Sequence, residues 1–161
     1  MKADDLFTII DYGTYEQYEK GISDVDINIR HEYGDSLLTT AIAYCKDDIA
    51  KDLIERNIDI DYQRPDGSSP LHFCAIYNNF EIAKLLVRRK AKINVYDRIG
   101  NSPLWYAVLE ANRRGEDYRM VKLFLEHGAD IHHKNKAGRS PLDLAKQVDD
   151  TELINILTQF E

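Results

Sequence analysis

The sequence predicts an all-α solenoid, in which stacked helix–turn–helix units are joined by short β-hairpin turns. One observation is a motif of the form Gly-x-Ser-Pro-Leu, which begins at Gly67 and returns at Gly100 and Gly138. A divergent copy begins at Gly34, so that the successive spacings are 33, 33 and 38 residues. The other observation is that an apolar segment and then a polar turn follow each copy. A period in the low thirties is typical of repeat proteins, whose units bury their apolar faces against one another.

The motif predicts a tight turn that leads directly into a helix. Gly67 stands where such a turn needs a positive φ or a close approach of two backbones, which glycine tolerates best. Serine is a good N-cap, and proline suits the first helical position because the amide there has no partner within the helix. We therefore expect N-caps at Ser69, Ser102 and Ser140. The buried stripe of each helix should begin at the leucine that follows: Leu71, Leu104 and Leu142.

These residues resemble the ankyrin repeat, whose signature is Gly-x-Thr-Pro-Leu-His-x-Ala, followed by a second helix and Gly-Ala-Asp. Serine replaces the threonine in each copy, His72 keeps the histidine, and residues 128–130 read Gly-Ala-Asp. The resemblance extends over about residues 32–160. It implies an ankyrin-repeat solenoid that binds proteins, with hairpin tips and first-helix ends lining a concave groove.

A single domain is expected to occupy the chain, because 161 residues are enough for one sizeable core. Residues 1–30 lack the motif but contain two short amphipathic segments, the second ending at Gly21, and are expected to form an N-terminal capping repeat. Apolar residues at helical spacing predict helices at 36–44, 47–56 and 151–160. The expected units after the cap are three repeats and a truncated C-terminal capping repeat: 31–63, 64–96, 97–134 and 135–161.

The third repeat carries five residues more than the spacing of thirty-three, and they fall within 109–118. We expect a longer first helix that stops at Gly115. Insertions in repeat proteins lie in loops, often beside the binding face. Two interpretations stay open, a finger that contacts the partner and a tolerated surface insertion. Extended loops of this kind after Pro-Leu-Trp resemble those of bacterial ankyrin proteins.

The net charge of −7 bears on the class of partner. Sequence-independent binding to nucleic acid or to an anionic membrane needs a basic face, so neither partner is expected. No segment approaches the roughly 20 apolar residues of a membrane-spanning helix, and the first residues are too acidic for a signal peptide. The charge is compatible with a basic protein partner, or with solubility alone. Cys45 and Cys74 are expected to be free, with Cys74 buried, which favours the cytoplasm.

Catalytic and metal sites are not expected. His127, His132 and His133 cluster in the sequence, but adjacent side chains diverge and no spaced cysteine or carboxylate completes a tetrahedral set. Motifs for nucleophilic catalysis, phosphate binding and zinc proteolysis are missing, and the carboxylates sit in caps, turns and outer faces. We therefore predict neither enzyme activity nor a cofactor. Trp105 replaces the family's histidine and is expected to be mostly buried near the base of the groove, packed toward the insertion.

The expected binding surface follows from the resemblance, position by position. Tyrosine and arginine combine a large contact area with polar groups, and both are common at interface hot spots. The alternative is that some of these rings only cover the core. The groove should be acidic near the first repeat and basic near the last. The residues predicted to contact a partner are Tyr33, Tyr44, Asp66, Tyr77, Tyr96, Arg98, Ile99, Glu110, Arg113 and Arg114.

The predicted function is protein binding by a chain that is monomeric on its own. The favoured role is an immunity or inhibitor protein that neutralises one toxin, because ankyrin proteins of this general look occur among such proteins. A generic scaffold, adaptor or effector protein is the second hypothesis. An enzyme or enzyme subunit with an unrecognised site is the third. Tight capture of one protein would favour the first, and activity abolished by a charged-residue scan without unfolding would favour the third.

Overall fold

The computed structural model describes residues 3–23, 25–115 and 117–160, with side chains from residue 5 onward. Within these residues the chain forms ten helices arranged as five antiparallel pairs, and each pair lies inside one of the predicted units. Glu116, which belongs to the predicted insertion, lies outside the described residues. The pairs are α1 Ala3–Tyr12 with α2 Tyr15–Gly21, α3 Leu37–Ala43 with α4 Asp47–Glu55, α5 Pro70–Tyr77 with α6 Phe80–Arg88, α7 Pro103–Arg113 with α8 Arg119–Glu126, and α9 Pro141–Gln147 with α10 Thr151–Thr158.

The first helix of each repeat begins where the motif predicts. Ser102 and Ser140 accept hydrogen bonds from the amides three residues ahead, at 3.2 and 3.1 Å, and a proline follows each of them. At Ser69 the cap also uses His72, whose Nδ1 accepts the Ser69 amide hydrogen at 3.0 Å. The other ring nitrogen of His72 lies 3.1 Å from the carbonyl oxygen of Asn101, so this histidine joins one repeat to the turn of the next. The predicted N-caps are confirmed.

The turns that precede these helices are alike in their hydrogen bonds. Within each of the four turns, 31–35, 64–68, 97–101 and 135–139, the amide of the first residue donates to the carbonyl of the fifth, at 2.8 to 3.0 Å. The glycine at the fourth position has a φ between +72° and +85°, as the motif predicts. The described residues contain one isolated β-bridge, between Arg30 and Ser36, so the predicted hairpins are tight turns without paired strands.

The helices form two layers, and the apolar core runs between the repeats. First helices lie closer together than second helices, so the first-helix layer and the turns form the inner, concave side of the solenoid. Leu71 and Leu104 are each 1% exposed, which confirms the predicted register. In the outer layer, polar side chains join neighbouring repeats, as Tyr18 does by donating to Asp52 at 2.6 Å and Asn79 by donating to Asp47 at 2.7 Å.

The insertion lengthens the first helix of the third repeat. Helix α7 has eleven residues, whereas the corresponding helices α5 and α9 have eight and seven. It ends at Arg113, and Gly115 follows with a φ of +75°, so the predicted longer helix and its glycine stop are confirmed. Helix α10 ends at Thr158, two residues before its predicted end.

Candidate functional site

A groove of about 640 Å³ opens on the concave side of the amino-terminal half. It lies between α1, α3 and α5, and the first two turns close its sides. We call it the aromatic groove, because six of its lining residues have rings: Phe7, His31, Tyr33, Tyr44, Phe73 and Tyr77. A concave site with aromatic walls and a few polar groups is the usual form of a binding site in proteins.

Three predicted contact residues meet in this groove. Tyr44 caps the end of α3 and Tyr77 is the last residue of α5, so the repeat spacing brings them to the same side. Tyr33 reaches the groove from the first turn. Their exposed fractions are 70% for Tyr33, 50% for Tyr44 and 43% for Tyr77, so none of these rings belongs to the core. The structure therefore leaves three large aromatic side chains from two neighbouring repeats open to solvent at one place.

Other rings support these tyrosines from below. Phe73 stacks on Tyr77 with ring centroids 6.0 Å apart, and His31 lies 5.1 Å from Tyr33. Phe7 of α1 packs edge-on against His31 at 5.3 Å. The sequence analysis missed these supporting rings, although Phe73 and Tyr77 stand four residues apart on one helix and could have been found by that spacing.

Charged groups of the groove lie beside the aromatic ones. A hydrogen bond to Asp11 raises the pKa of the Tyr44 hydroxyl, and a hydrogen bond to Glu32 raises that of Tyr33. In the second turn, Nε of Arg64 lies 3.1 Å from Asp35 and its Nη1 lies 3.4 Å from Asp66, the predicted contact residue. The hydroxyls of Tyr33 and Tyr44 are thus each turned toward a carboxylate of the same end of the molecule.

The third turn presents its predicted residues beyond the aromatic groove. Ile99 is 55% exposed, and Arg98 is exposed while its side chain donates to the carbonyl of Pro65 at 2.9 Å. The half-buried ring of Tyr96 stacks on His133, with centroids 3.7 Å apart. Tyr96 and Ile99 are not among the residues that line the groove. The concave side therefore carries two separate patches, one around Tyr77 and one around Ile99.

The predicted residues of the insertion form a small ion-pair cluster. Glu110 is largely covered and pairs with Arg113 at 3.1 Å and with Arg114 at 3.2 Å. Arg114 also reaches the carbonyl oxygen of Ile76 at the end of α5, 3.5 Å away. Both arginines stay partly exposed, so a partner can reach them. Glu110 neutralises part of their charge.

Trp105 lies in the first turn of helix α7, in the carboxy-terminal half of the chain. Its side chain is 7% exposed, which confirms the predicted burial. Arg139 of the last turn lies over the indole ring, with its guanidinium carbon 5.9 Å from the ring centre. Arg139 also donates to Gln147 at 2.9 Å. Together with Lys136, it makes the last turn the basic end of the concave side, in contrast to the carboxylates around the first turn.

The described residues contain neither a candidate metal site nor a membrane-spanning helix. No group of three or more histidine, cysteine or carboxylate side chains there could hold a metal ion. None of the described helices combines the length and the apolar composition needed to span a lipid bilayer.

Comparison with known proteins agrees with the architecture. The family model described as ankyrin repeats (3 copies) matches residues 10–97 and 38–135, which together cover well over half of the chain. Among curated proteins, the chain matches none. Ankyrin repeats are modules for protein–protein interaction and typically serve as binding scaffolds without enzyme activity. The matched span and the five stacked helix pairs lead to one conclusion: the chain belongs to the ankyrin repeat family.

Proposed function

We propose that this protein binds one partner protein through the concave side of its solenoid, without catalysing a reaction. The observation that carries the proposal is the exposure of Tyr33, Tyr44 and Tyr77 around one groove. Exposed aromatic rings that converge on a concavity contribute most of the binding energy in many interfaces, because they bury a large area with little loss of side-chain freedom. The solenoid core does not use these rings, so binding is the function that explains their placement.

The role we favour is an immunity or inhibitor protein that neutralises a toxin in the cytoplasm of a bacterium. The supporting observation is that the concave side presents two patches of different composition, rings with carboxylates in the aromatic groove and Ile99 with Arg98 beyond it, which suits one dedicated partner better than many. We also propose that the chain is monomeric on its own and that the partner is basic, as the net charge of −7 suggests. A generic adaptor remains the alternative within the same class, and an enzyme with an unrecognised site is the alternative outside it.

Site-specific photo-crosslinking tests the proposal. Benzoylphenylalanine replaces Tyr77 or Ile99 on the concave side, and as a matched control it replaces Lys51, an exposed residue of the outer helix α4. In extracts of the source cell, we expect one discrete adduct from the concave positions and none from Lys51. Adducts that form only from Lys51 would overturn the proposed face.

The photo-crosslinked adduct also distinguishes the inhibitor from the adaptor. One protein of constant mass, recovered in a one-to-one complex whose own activity is suppressed, supports the inhibitor. Several proteins of different mass support the adaptor. Sedimentation of the purified chain measures whether it is a monomer. A charged-residue scan that removes a chemical activity while leaving the melting temperature unchanged would establish the enzyme instead.

A further inference from the structure

The aromatic groove carries unbalanced negative charge. Asp11 and Asp35 contribute two carboxylates to its lining, whereas Arg64 is the only arginine or lysine among the described residues that line it. Glu32 of the first turn adds a carboxylate next to Tyr33, where a hydrogen bond to it raises the pKa of the tyrosine hydroxyl. The lining of the groove therefore combines aromatic rings with more carboxylates than basic side chains.

Arg64 neutralises only part of this charge, because two carboxylates share it and Asp11 is not one of them. Its guanidinium lies between Asp35 and Asp66, 3.1 and 3.4 Å away, and 5.4 Å from the centre of the Phe73 ring. Asp11 forms no ion pair with any described basic residue. Its Oδ1 atom is buried, and none of the described residues donates a hydrogen bond to it. The carboxylate of Asp11 therefore stands at the wall of the groove without a counter-ion among the described residues.

A guanidinium group matches these surroundings better than other side chains do. Its flat face stacks on aromatic rings, and its edge donates two parallel hydrogen bonds to a carboxylate. The protein uses the same chemistry elsewhere, since the guanidinium of Arg30 lies 3.7 Å from the centre of the Tyr62 ring. An acidic or phosphorylated segment would instead meet the carboxylates of Asp11 and Asp35, and would be repelled.

We propose that the aromatic groove receives an arginine side chain of the partner protein, stacked against Tyr44 and Tyr77 with its charge directed to Asp11. The inference rests on the proposed function, and it names the partner group that this groove selects. The groove volume of about 640 Å³ exceeds what one side chain fills, so the residues that flank the arginine enter as well. The occupant is thus an exposed, arginine-bearing segment.

A short fluorescein-labelled peptide of glycine and serine that carries two arginines serves as the probe. Matched peptides carry citrulline, which has the same shape without the charge, or lysine. Fluorescence anisotropy measures binding at low and at physiological ionic strength. We expect the citrulline peptide to bind at least about tenfold more weakly than the arginine peptide, and the lysine peptide several-fold more weakly. Equal affinity for arginine and citrulline would overturn the proposal, and equal affinity for arginine and lysine would overturn the assignment to a guanidinium.

Variants of the protein locate the site. Asp11→Asn and Tyr44→Ala should each lower the affinity for the arginine peptide at least about fivefold. Tyr44→Phe should retain binding, because the ring stays and the carboxylate of Asp11 is released from the hydroxyl. Glu55→Gln makes the same charge change on the exposed outer face of α4 and should alter the affinity less than about twofold. A loss at Glu55→Gln equal to that at Asp11→Asn would reduce the effect to net charge and overturn the site.

Two further outcomes separate this inference from the proposed function. If the arginine peptide fails to bind while the Tyr77 photo-adduct still forms, the groove assignment is wrong and the concave interface stands. If sedimentation finds a dimer that Asp11→Asn dissolves, the basic turn of a second copy occupies the groove, and the proposal of a partner arginine is refuted.

Discussion

Replacing Gly67 by alanine tests how tightly the turns stack, and Gly138 provides a matched control. The two glycines hold the same place in the second and fourth turns, with φ of +83° and +72°. An alanine at either position would enter the left-handed region, at a cost of about 1–2 kcal/mol. Around Gly138 a Cβ atom would meet nothing within 4 Å, so this conformational cost is the whole expected effect there.

At Gly67 the added methyl group would also collide with the next turn. Its Cβ would lie 2.8 Å from Cα of Asp97 and 3.0 Å from the amide nitrogen of Arg98. These are backbone atoms and cannot rotate away, so the third turn would have to move. The hydrogen bond from the Arg98 amide to the carbonyl of Asp66, now 2.7 Å, would lengthen with it. Overpacking of this kind costs about 1–3 kcal/mol, which brings the total for Gly67→Ala to about 2–5 kcal/mol.

Urea unfolding followed by circular dichroism measures both free energies of unfolding. We expect Gly67→Ala to be less stable than Gly138→Ala by at least about 1 kcal/mol, with similar m-values. Gly100→Ala should fall between them, because its Cβ would lie 3.1 Å from the Cα of Asn135 in the fourth turn. Equal losses at Gly67 and Gly138 would refute the close approach of the second and third turns.

Three other outcomes are expected. Burial lowers the pKa of His72, so the unfolded chain binds the proton first, and stability should fall as the pH drops below about 6.5; urea melts of His72→Thr should lose part of this dependence, and an unchanged slope would contradict it. Trp105, the only tryptophan, should emit at short wavelength and resist quenching by acrylamide, and emission like that of free tryptophan would disprove its burial. The double variant Tyr77→Ala with Tyr96→Ala should weaken binding of the partner by at least about 2 kcal/mol, roughly thirtyfold, as measured by calorimetry. Its melting temperature should fall far less than that of Leu104→Ala, and unchanged affinity would mean that the partner uses another face.

Interactions within a few residues explain why so much of the fold could be predicted. The cap at Ser102 uses an amide three residues away, and the positive φ of Gly100 is set within its own turn. The same holds for the longer helix α7 and its stop at Gly115. Such features depend on propensity and on hydrogen bonds between near neighbours, which the order of residues displays directly.

Side-chain direction limited the prediction of the site. Tyr77 and Tyr96 both belong to the predicted contact surface and to the same repeat, the first at the end of its first helix and the second just before the next turn. Tyr77 lines the groove, whereas the ring of Tyr96 stacks on His133, which the next repeat supplies. A rotamer is chosen by the atoms that surround it, and here these atoms belong to a residue thirty-seven positions further along the chain.

The sequence by itself determined the repeat, the helix starts and the turns, and it singled out the three exposed tyrosines that line the aromatic groove. Only the tertiary structure decided what stands beside them. It set Asp11 of the first capping unit against Tyr44 of the next repeat, and it engaged Arg64 with Asp35 across two turns. The stacking of the units decides which of these charges are neutralised and which line the groove. The physical reason is that local hydrogen bonds join residues close together in the sequence, so the sequence pattern predicts them. A groove is instead the space between units, and the distance between units depends on the packing of the whole stack.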